Sequence, residues 1–371
     1  VSEPAAMPDQ RIPVTLLTGF LGAGKTTVLN RLLAQPSMAR CAVVVNEMGA
    51  IGLDHLLLGT TRDATIALLE NGCLCCGVRG ELSDTLDALI ERRDRGEIPP
   101  FERVWVETTG LARPGPVLSE LLGDERLEAR VTLDGVIAVV DGVHGASQLE
   151  RHEEARQQAA CADRLLITKA DLADAALLDA LGAALDALNV AAPRLQVSDG
   201  ELDAAGFIGM LAPRTVSAWL GAARQPLLPR AVLEARDDER DDDAQAASEP
   251  SESAALNGIA AQRRMHPDIS TFSLTFDEAL PAEAVETALT VLLAYHGEQI
   301  LRVKGICCFI GEAAPVVVHG VQQLLHEPLR LNRWPDDDRR TRIVFIVQGL
   351  PQHVVTDTFA HFGCRPAVRA G

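Results

Sequence analysis

The chain has 371 residues, enough for two domains; 47% are hydrophobic but only 4% aromatic, so its cores must be built from Leu, Val, Ile and Ala. Subtracting 52 acidic from 34 basic residues leaves a net charge of −18, which argues against a generic nucleic-acid binder and against an anionic membrane surface. No apolar run approaches the ~20 residues of a membrane span, and the first ten residues lack the basic start and apolar stretch of a secretory signal, so a cytoplasmic protein is expected.

Residues 1–12 read as an N-terminal tail. Strand-like and helix-like segments then alternate. An apolar strand at 13–18 ends in a glycine-rich turn, a helix follows at 25–34, and further strands are expected at 41–45 (C-A-V-V-V) and 64–70. Segment 81–92 carries Leu82, Leu86, Leu89 and Ile90 at helical spacing. Strands at 103–107 and 135–140, a helix at 147–160, a strand at 164–168 and a helix at 172–188 continue the pattern. Such alternation predicts an α/β domain over 13–228, its mostly parallel sheet covered by helices on both faces.

The character changes at Glu234. Residues 234–253 hold nine acids and two arginines, a net charge of −7, with almost no large apolar side chain. Such a stretch cannot bury enough surface to offset the entropy of ordering, so 229–267 reads as an acidic, disordered linker. Strand signals at 269–276, 300–310, 315–319 and 342–347, with helix signals at 281–296 and 353–362, predict a smaller α+β domain over 268–371. An exposed sheet face on this domain would suit the docking of a partner protein.

Residues 19–26, G-F-L-G-A-G-K-T, fit the pattern G-x-x-x-x-G-K-[ST], and they lie between a strand and a helix as that pattern requires. Gly19, Gly22 and Gly24 let successive N–H groups converge on phosphate oxygens at a helix N-terminus. Lys25 is placed to reach the β- and γ-phosphates, and the Thr26 hydroxyl to ligate Mg²⁺. A triphosphate site also needs an acid at the end of a neighbouring strand, and Glu107 of E-T-T-G supplies it, with the Gly110 N–H available to the γ-phosphate. Thr168-Lys169-Ala170-Asp171 follows a later strand. The Asp171 carboxylate, a pure acceptor, can take both N1–H and the amino group of guanine, while the Lys169 stem lies over the base, so GTP is favoured. A small-molecule kinase shares the phosphate loop, but it would prefer ATP and would leave the cysteine cluster without a purpose.

Of eight cysteines, three stand at Cys73, Cys75 and Cys76, flanked by Gly72 and Gly77. Three thiolates this close suit Zn²⁺, Cu⁺ or Co²⁺ and leave one tetrahedral position open, to be filled by Glu47, water or a residue of a partner. Cys307 and Cys308 are adjacent in a strand and face opposite ways, so they read as packing residues. Cys41, Cys161 and Cys364 read as inert small hydrophobes. His144 is expected in a solvated loop, and the spacing of His296, His319 and His326 demands no second metal site.

G-C-L-C-C between the phosphate loop and E-T-T-G, with N-E-M-G at 46–49, resembles the CobW-type GTPases, a metallochaperone branch of the P-loop GTPases related to the HypB and UreG proteins. L-R-V-K-G at 301–305, and W-P at 334–335 leading to R-I-V-F-I at 342–346, resemble the CobW C-terminal domain. The resemblance implies a P-loop GTPase of slow intrinsic turnover that couples Mg-GTP to the handling of a transition metal, zinc foremost, and its transfer to a client metalloprotein. Cobalt delivery for cobalamin biosynthesis is the alternative cargo role, and a metal-responsive regulatory GTPase without delivery the alternative function. On matching positions it implies phosphate and Mg²⁺ binding by 19–27, including Thr27. Glu47 is assigned to the switch, to Mg²⁺, water or the transferred metal, and Cys73, Cys75 and Cys76 to that metal. Glu107 and Gly110 are implied to read the γ-phosphate, and Thr168, Lys169 and Asp171 the guanine. Three features depart from the family pattern: Ala50 stands where the switch usually has glutamate, Thr168 where asparagine is usual, and the linker is acidic where many members are histidine-rich.

Overall fold

A computed structural model describes residues 11–45, 80–197, 202, 207 and 269–367, and the backbone of 65–68. The cysteine triplet, Glu47, Ala50 and the 229–267 linker lie outside the described residues. The first domain contains strands β1 (Ile12–Gly19), β2 (Cys41–Val45), β3 (Thr65–Leu68), β4 (Arg103–Glu107), β5 (Val131–Asp141), β6 (Arg164–Thr168) and β7 (Arg194–Gln196). They form one parallel sheet in the order β3-β2-β4-β1-β5-β6-β7. Among the described residues its helices are α1 (Lys25–Leu33), α2 (Glu81–Asp94), α3 (Pro114–Gly123), α4 (Glu125–Glu128), α5 (Gly145–Arg151), α6 (Glu153–Cys161) and α7 (Ala175–Asn189).

Burial on both faces explains why these strands read as unbroken apolar runs. Val14, Leu16, Val104 and Val106 pack with Leu82, Leu86 and Leu118 of α2 and α3 on one face. Leu17, Val43, Trp105 and Ile137 pack with Val28, Leu29 and Leu32 of α1 on the other. From β1 the chain runs outward to β2 and β3 on one side, returns through β4, and continues to β5, β6 and β7 on the other. The reversal puts a crevice at the carboxyl end of β1, where open α/β sheets hold their ligands.

Two helices differ from expectation. The single helix expected over 147–160 is two, broken at His152, whose backbone is extended. The guanidinium of Arg156 donates to the carbonyls of Leu149 and Glu150, closing α5, while the His152 ring stacks on Phe20 at 4.4 Å. A local side-chain cap and a long-range ring contact thus override a continuous helical pattern. Further on, a 3-10 turn, Ala170–Leu172, is followed by α7, which starts only after Asp174, whose carboxylate accepts from the Leu177 N–H at 2.8 Å. Helix α3 is not among the predicted elements; proline at its first helical positions is favourable.

The second domain comprises β8 (Ile269–Phe276), α8 (Ala282–His296), β9 (Ile300–Cys307), β10 (Val316–Val321), β11 (Leu324–Leu325), β12 (Leu329–Arg330), β13 (Thr341–Gln348) and α9 (Gln352–His361). The antiparallel sheet runs β11-β10-β9-β13-β8, with β12 on β10. Alternation along β13 divides it cleanly. Ile343, Phe345 and Val347 face α8 and α9, packing with Leu289, Leu292 and Phe359. Val344 and Ile346 face the first domain, where they join Ala160, Cys161 and Ala191. The sheet face expected to be exposed for docking is therefore covered by α6 and α7.

Polar groups reinforce this junction. Asp163, which follows α6, accepts from both Arg302 and Lys304 of β9 through Oδ1, and its Oδ2 accepts from the Val136 N–H at 2.9 Å. Burial alone would raise the Asp163 pKa; the two cations and the N–H outweigh it and hold the carboxyl well below the usual carboxylate range.

Candidate nucleotide site

The phosphate loop occupies the crevice at the end of β1. Gly22 (φ 74°) and Gly24 (φ 91°) take the left-handed conformation that turns the chain back into α1. The N-terminus of α1 has no side-chain cap and no acidic residue in its first turn, so its converging N–H groups are left to an anion. Lys25 lies across the loop, Nζ donating to the Gly19 carbonyl at 2.9 Å and the Phe20 carbonyl at 3.4 Å. Thr27 is exposed on the first helical turn.

Glu107, buried at the end of β4, accepts from the Thr26 hydroxyl at 2.7 Å. Parallel pairing of β1 with β4 is what brings these two oxygens, 81 residues apart, together. Thr108 continues the tie, with its N–H on the Leu17 carbonyl at 3.0 Å and its hydroxyl on Thr18 at 3.0 Å. Gly110 sits against the phosphate loop so closely that a Cβ there would lie 2.7 Å from the Leu21 nitrogen. Beside it, the buried hydroxyl of Thr109 meets no hydrogen-bond partner among the described residues.

The T-K-A-D segment arrives from β6 and is fastened to the same loop. Thr168 Oγ1 donates to the Ala23 carbonyl at 2.7 Å and lies 3.3 Å from that of Val140. Thr168 therefore ties the T-K-A-D segment to the phosphate loop. Lys169, at φ 55°, spans to the Gly22 carbonyl (2.9 Å) and pairs with Asp141 (2.6 Å), while Asp171 is exposed at the rim. Asp141 escaped the sequence reading. Its carboxylate also accepts from the N–H groups of Val143 and His144, and these bonds with Lys169 hold its pKa below normal although burial pushes it up. The signal was an acid followed by glycine at the end of an apolar run, V-V-D-G.

Phosphate loop, Thr26–Glu107 and T-K-A-D thus converge from β1, β4 and β6 on one crevice. Bare helix N–H groups suit phosphate, and a hydroxyl paired with a carboxylate suits a hard cation such as Mg²⁺, so the residues present fit a magnesium nucleotide. The remaining predicted roles divide. His144 is exposed, as expected of a loop residue. Cys41, Cys161, Cys307 and Cys364 are buried free thiols; burial pushes Cys41 up to about 11 and Cys161 to about 12, so neither ionises near neutrality. The rings of His319 and His326 lie 4.3 Å apart, tilted by 32°, and among the described residues no group of three or more His, Cys, Asp or Glu is arranged to hold a metal.

The nucleotide-binding domain description CobW/HypB/UreG matches residues 13–196, and the C-terminal domain of the cobalamin synthesis protein cobW matches 269–362. Escherichia coli zinc chaperone YjiA is 34% identical over 349 residues, covering 94% of this chain and 98% of that protein. The chain belongs to the CobW/HypB/UreG family. Another relative, the zinc chaperone CobW of Pseudomonas aeruginosa, is 30% identical over 94% of this chain and 90% of its own length. A crystal structure of zinc-bound YjiA GTPase, in a triple variant lacking one glutamate and two cysteines, superposes with a TM-score of 0.64 at 30% identity, covering 96% of this chain and 99% of that one. The nucleotide-binding domain match falls on the first domain and the C-terminal match on the second, and the superposition on YjiA spans both. Among the described residues no helix is long and apolar enough to cross a membrane.

Proposed function

We propose that this chain is a GTP-hydrolysing metallochaperone that couples its nucleotide state to the binding of zinc and its transfer to a client apoprotein. The observation that carries the reading is the convergence of Thr26–Glu107 and T-K-A-D on one phosphate loop, in a chain whose full-length relatives are zinc chaperones. Lys25 and the α1 N–H groups neutralise the phosphates, Gly110 contacts the γ-phosphate through its N–H, and Asp171 accepts from guanine while the Lys169 stem covers it. Thr26 and Glu107 hold Mg²⁺, which supplies charge neutralisation to the transferred phosphoryl group when bound.

Zinc is the cargo, and Cys73, Cys75 and Cys76 with Glu47 are the residues assigned to it. Thiolates favour a soft or borderline cation over Mg²⁺, so the two metals are sorted by ligand chemistry. Linkage requires that, if GTP changes zinc affinity, zinc changes GTP affinity by the same factor. The test is a zinc competition titration with GDP or a non-hydrolysable GTP analogue, on the native chain and on the Cys73→Ser, Cys75→Ser, Cys76→Ser variant. Affinity that depends on both nucleotide and cysteines supports the coupled chaperone; affinity indifferent to nucleotide refutes the coupling. Hydrolysis of GTP and ATP at equal efficiency would refute the guanine assignment.

A further inference from the structure

Helix α6 touches three things at once. At its start, His152 stacks on Phe20 of the phosphate loop. In its middle, Gln158 Nε2 donates to the carbonyls of Gly110 (3.1 Å) and Ala112 (2.9 Å), the loop that follows Glu107. One residue earlier, Gln157 Nε2 donates to Gln348 Oε1 of β13 at 2.8 Å and to Glu153 at 3.0 Å. Glu153 Oε1 accepts in turn from Gln348 Nε2 at 3.0 Å and faces the Arg113 guanidinium at 3.6 Å. Near its end, Cys161 and then Asp163 bind β9.

The orientation of the Gln158 amide is dictated by its surroundings, because the flipped rotamer would set its oxygen against two carbonyls. In this orientation the buried Oε1 has no hydrogen-bond partner among the described residues. An apolar side chain of the same length would avoid that uncompensated acceptor, so the site retains glutamine for what Nε2 does. What Nε2 does is grip both sides of Leu111. Gly110, pressed against the Leu21 backbone, cannot shift without moving Gln158 or the phosphate loop.

We propose that α6 relays the nucleotide state of the 107–113 loop to the C-terminal sheet, with Gln158 as the residue positioning Gly110 and with Glu153 and Gln157 passing the displacement to Gln348. The proposal rests on the reading of Gly110 as the γ-phosphate contact. A change at Gly110 reaches α6 through Gln158, and a change at Arg113 reaches it through Glu153. Because α6 is one short rigid helix with its polar contacts to β13 on one side and to the loop on the other, the two domains respond together. The element supplies a physical coupling route of packed, hydrogen-bonded parts.

The test uses the full chain with Gln158→Met and Gln157→Met. Two quantities are read: the affinity ratio of fluorescent imido-GTP over fluorescent GDP, and the difference in amide exchange at 341–348 between the two loaded states. The native chain is expected to change its exchange at 341–348 with nucleotide. Gln158→Met lowers the affinity ratio roughly tenfold, as expected for two lost hydrogen bonds, and erases the exchange difference. Gln157→Met keeps the ratio and erases the difference. A merely structural glutamine would weaken both nucleotides alike and leave the ratio unmoved. If the native chain binds imido-GTP but 341–348 does not respond, the relay is wrong and the nucleotide-site reading stands; if it binds neither nucleotide, both fall.

Discussion

Asp163→Ala isolates the charge cluster that joins the domains. In the native protein the Asp163 side chain is 2% exposed and those of Arg302 and Lys304 are 4% and 12% exposed. Removal of the carboxylate strands the Arg302 guanidinium and the Val136 N–H and takes one partner from Lys304. Arg302 has no reserve partner among the described residues, since its Nε and Nη1 already lack one there. Breaking a buried pair from one side costs about 3–5 kcal/mol, and that loss is expected at pH 7 by urea denaturation followed through tryptophan fluorescence. Lys304 modulates the loss. Burial already lowers its pKa to about 8, against the opposing pull of Asp163. Without Asp163 the folded-state pKa drops further, so the variant sheds that proton at lower pH than the native chain. A folded pKa below the unfolded one means that stability rises with pH across the gap. The gap opens earlier in the variant, so its deficit is larger at pH 6 than at pH 9. Replacing all three residues by apolar ones of similar volume should recover most of the loss. A deficit under about 1 kcal/mol at pH 7, the range of an exposed ion pair, would refute the argument that this cluster is a desolvated tie between domains.

Three further outcomes follow from local geometry. Gly110→Ala forces a Cβ to within 2.7 Å of the Leu21 backbone, and an overpacked contact of this kind should weaken nucleotide binding about tenfold or more by fluorescence titration, with unchanged circular dichroism. Glu107→Gln keeps a partner for the Thr26 hydroxyl but removes the charge; the Mg²⁺ concentration for half-maximal GTP hydrolysis should rise steeply, and an unchanged Mg²⁺ dependence would remove Glu107 from the metal shell. The third concerns acid. Burial, and then the positive charges of Arg302 and Lys304 with Asp163 opposing, lowers His326 to about 4, and His319 is also held well below its usual value by burial, His326 and the same cations. Arg11 adds to the repulsion on His326. Unfolded histidines take up protons near pH 6.5 while these two do not, so stability should fall as pH drops from about 6.5 toward 4. His326→Gln should flatten the slope in that window, and an unchanged slope would place the titrating group elsewhere.

The boundaries of β2, β4, β6 and β8 were legible almost residue by residue, since each is a β-rich run ended by a turn or charged residue. The nucleotide site was legible for a related reason: phosphate recognition by backbone N–H groups imposes glycines, a lysine and a hydroxyl at fixed spacing within one loop. What escaped was non-local. The break at His152 was not legible in 147–160, because one of the two contacts that accompany it, the stacking on Phe20, comes from more than a hundred residues earlier, and the other, Arg156 on the Leu149 and Glu150 carbonyls, forms only once the helix has broken. Asp163 and Arg302 are 139 residues apart, and each alone reads as a solvated charge. Gln158 gives no signal at all, since glutamine is a common helix residue and its burial is decided by the loop it holds. The parts that bind nucleotide are thus written locally, whereas the parts that join the two domains exist only once both have folded. Substitutions between the domains, Gln157→Met among them, should therefore alter coupling while sparing nucleotide affinity, whereas Gln158→Met and Gly110→Ala, which act on the loop after Glu107, should not spare it.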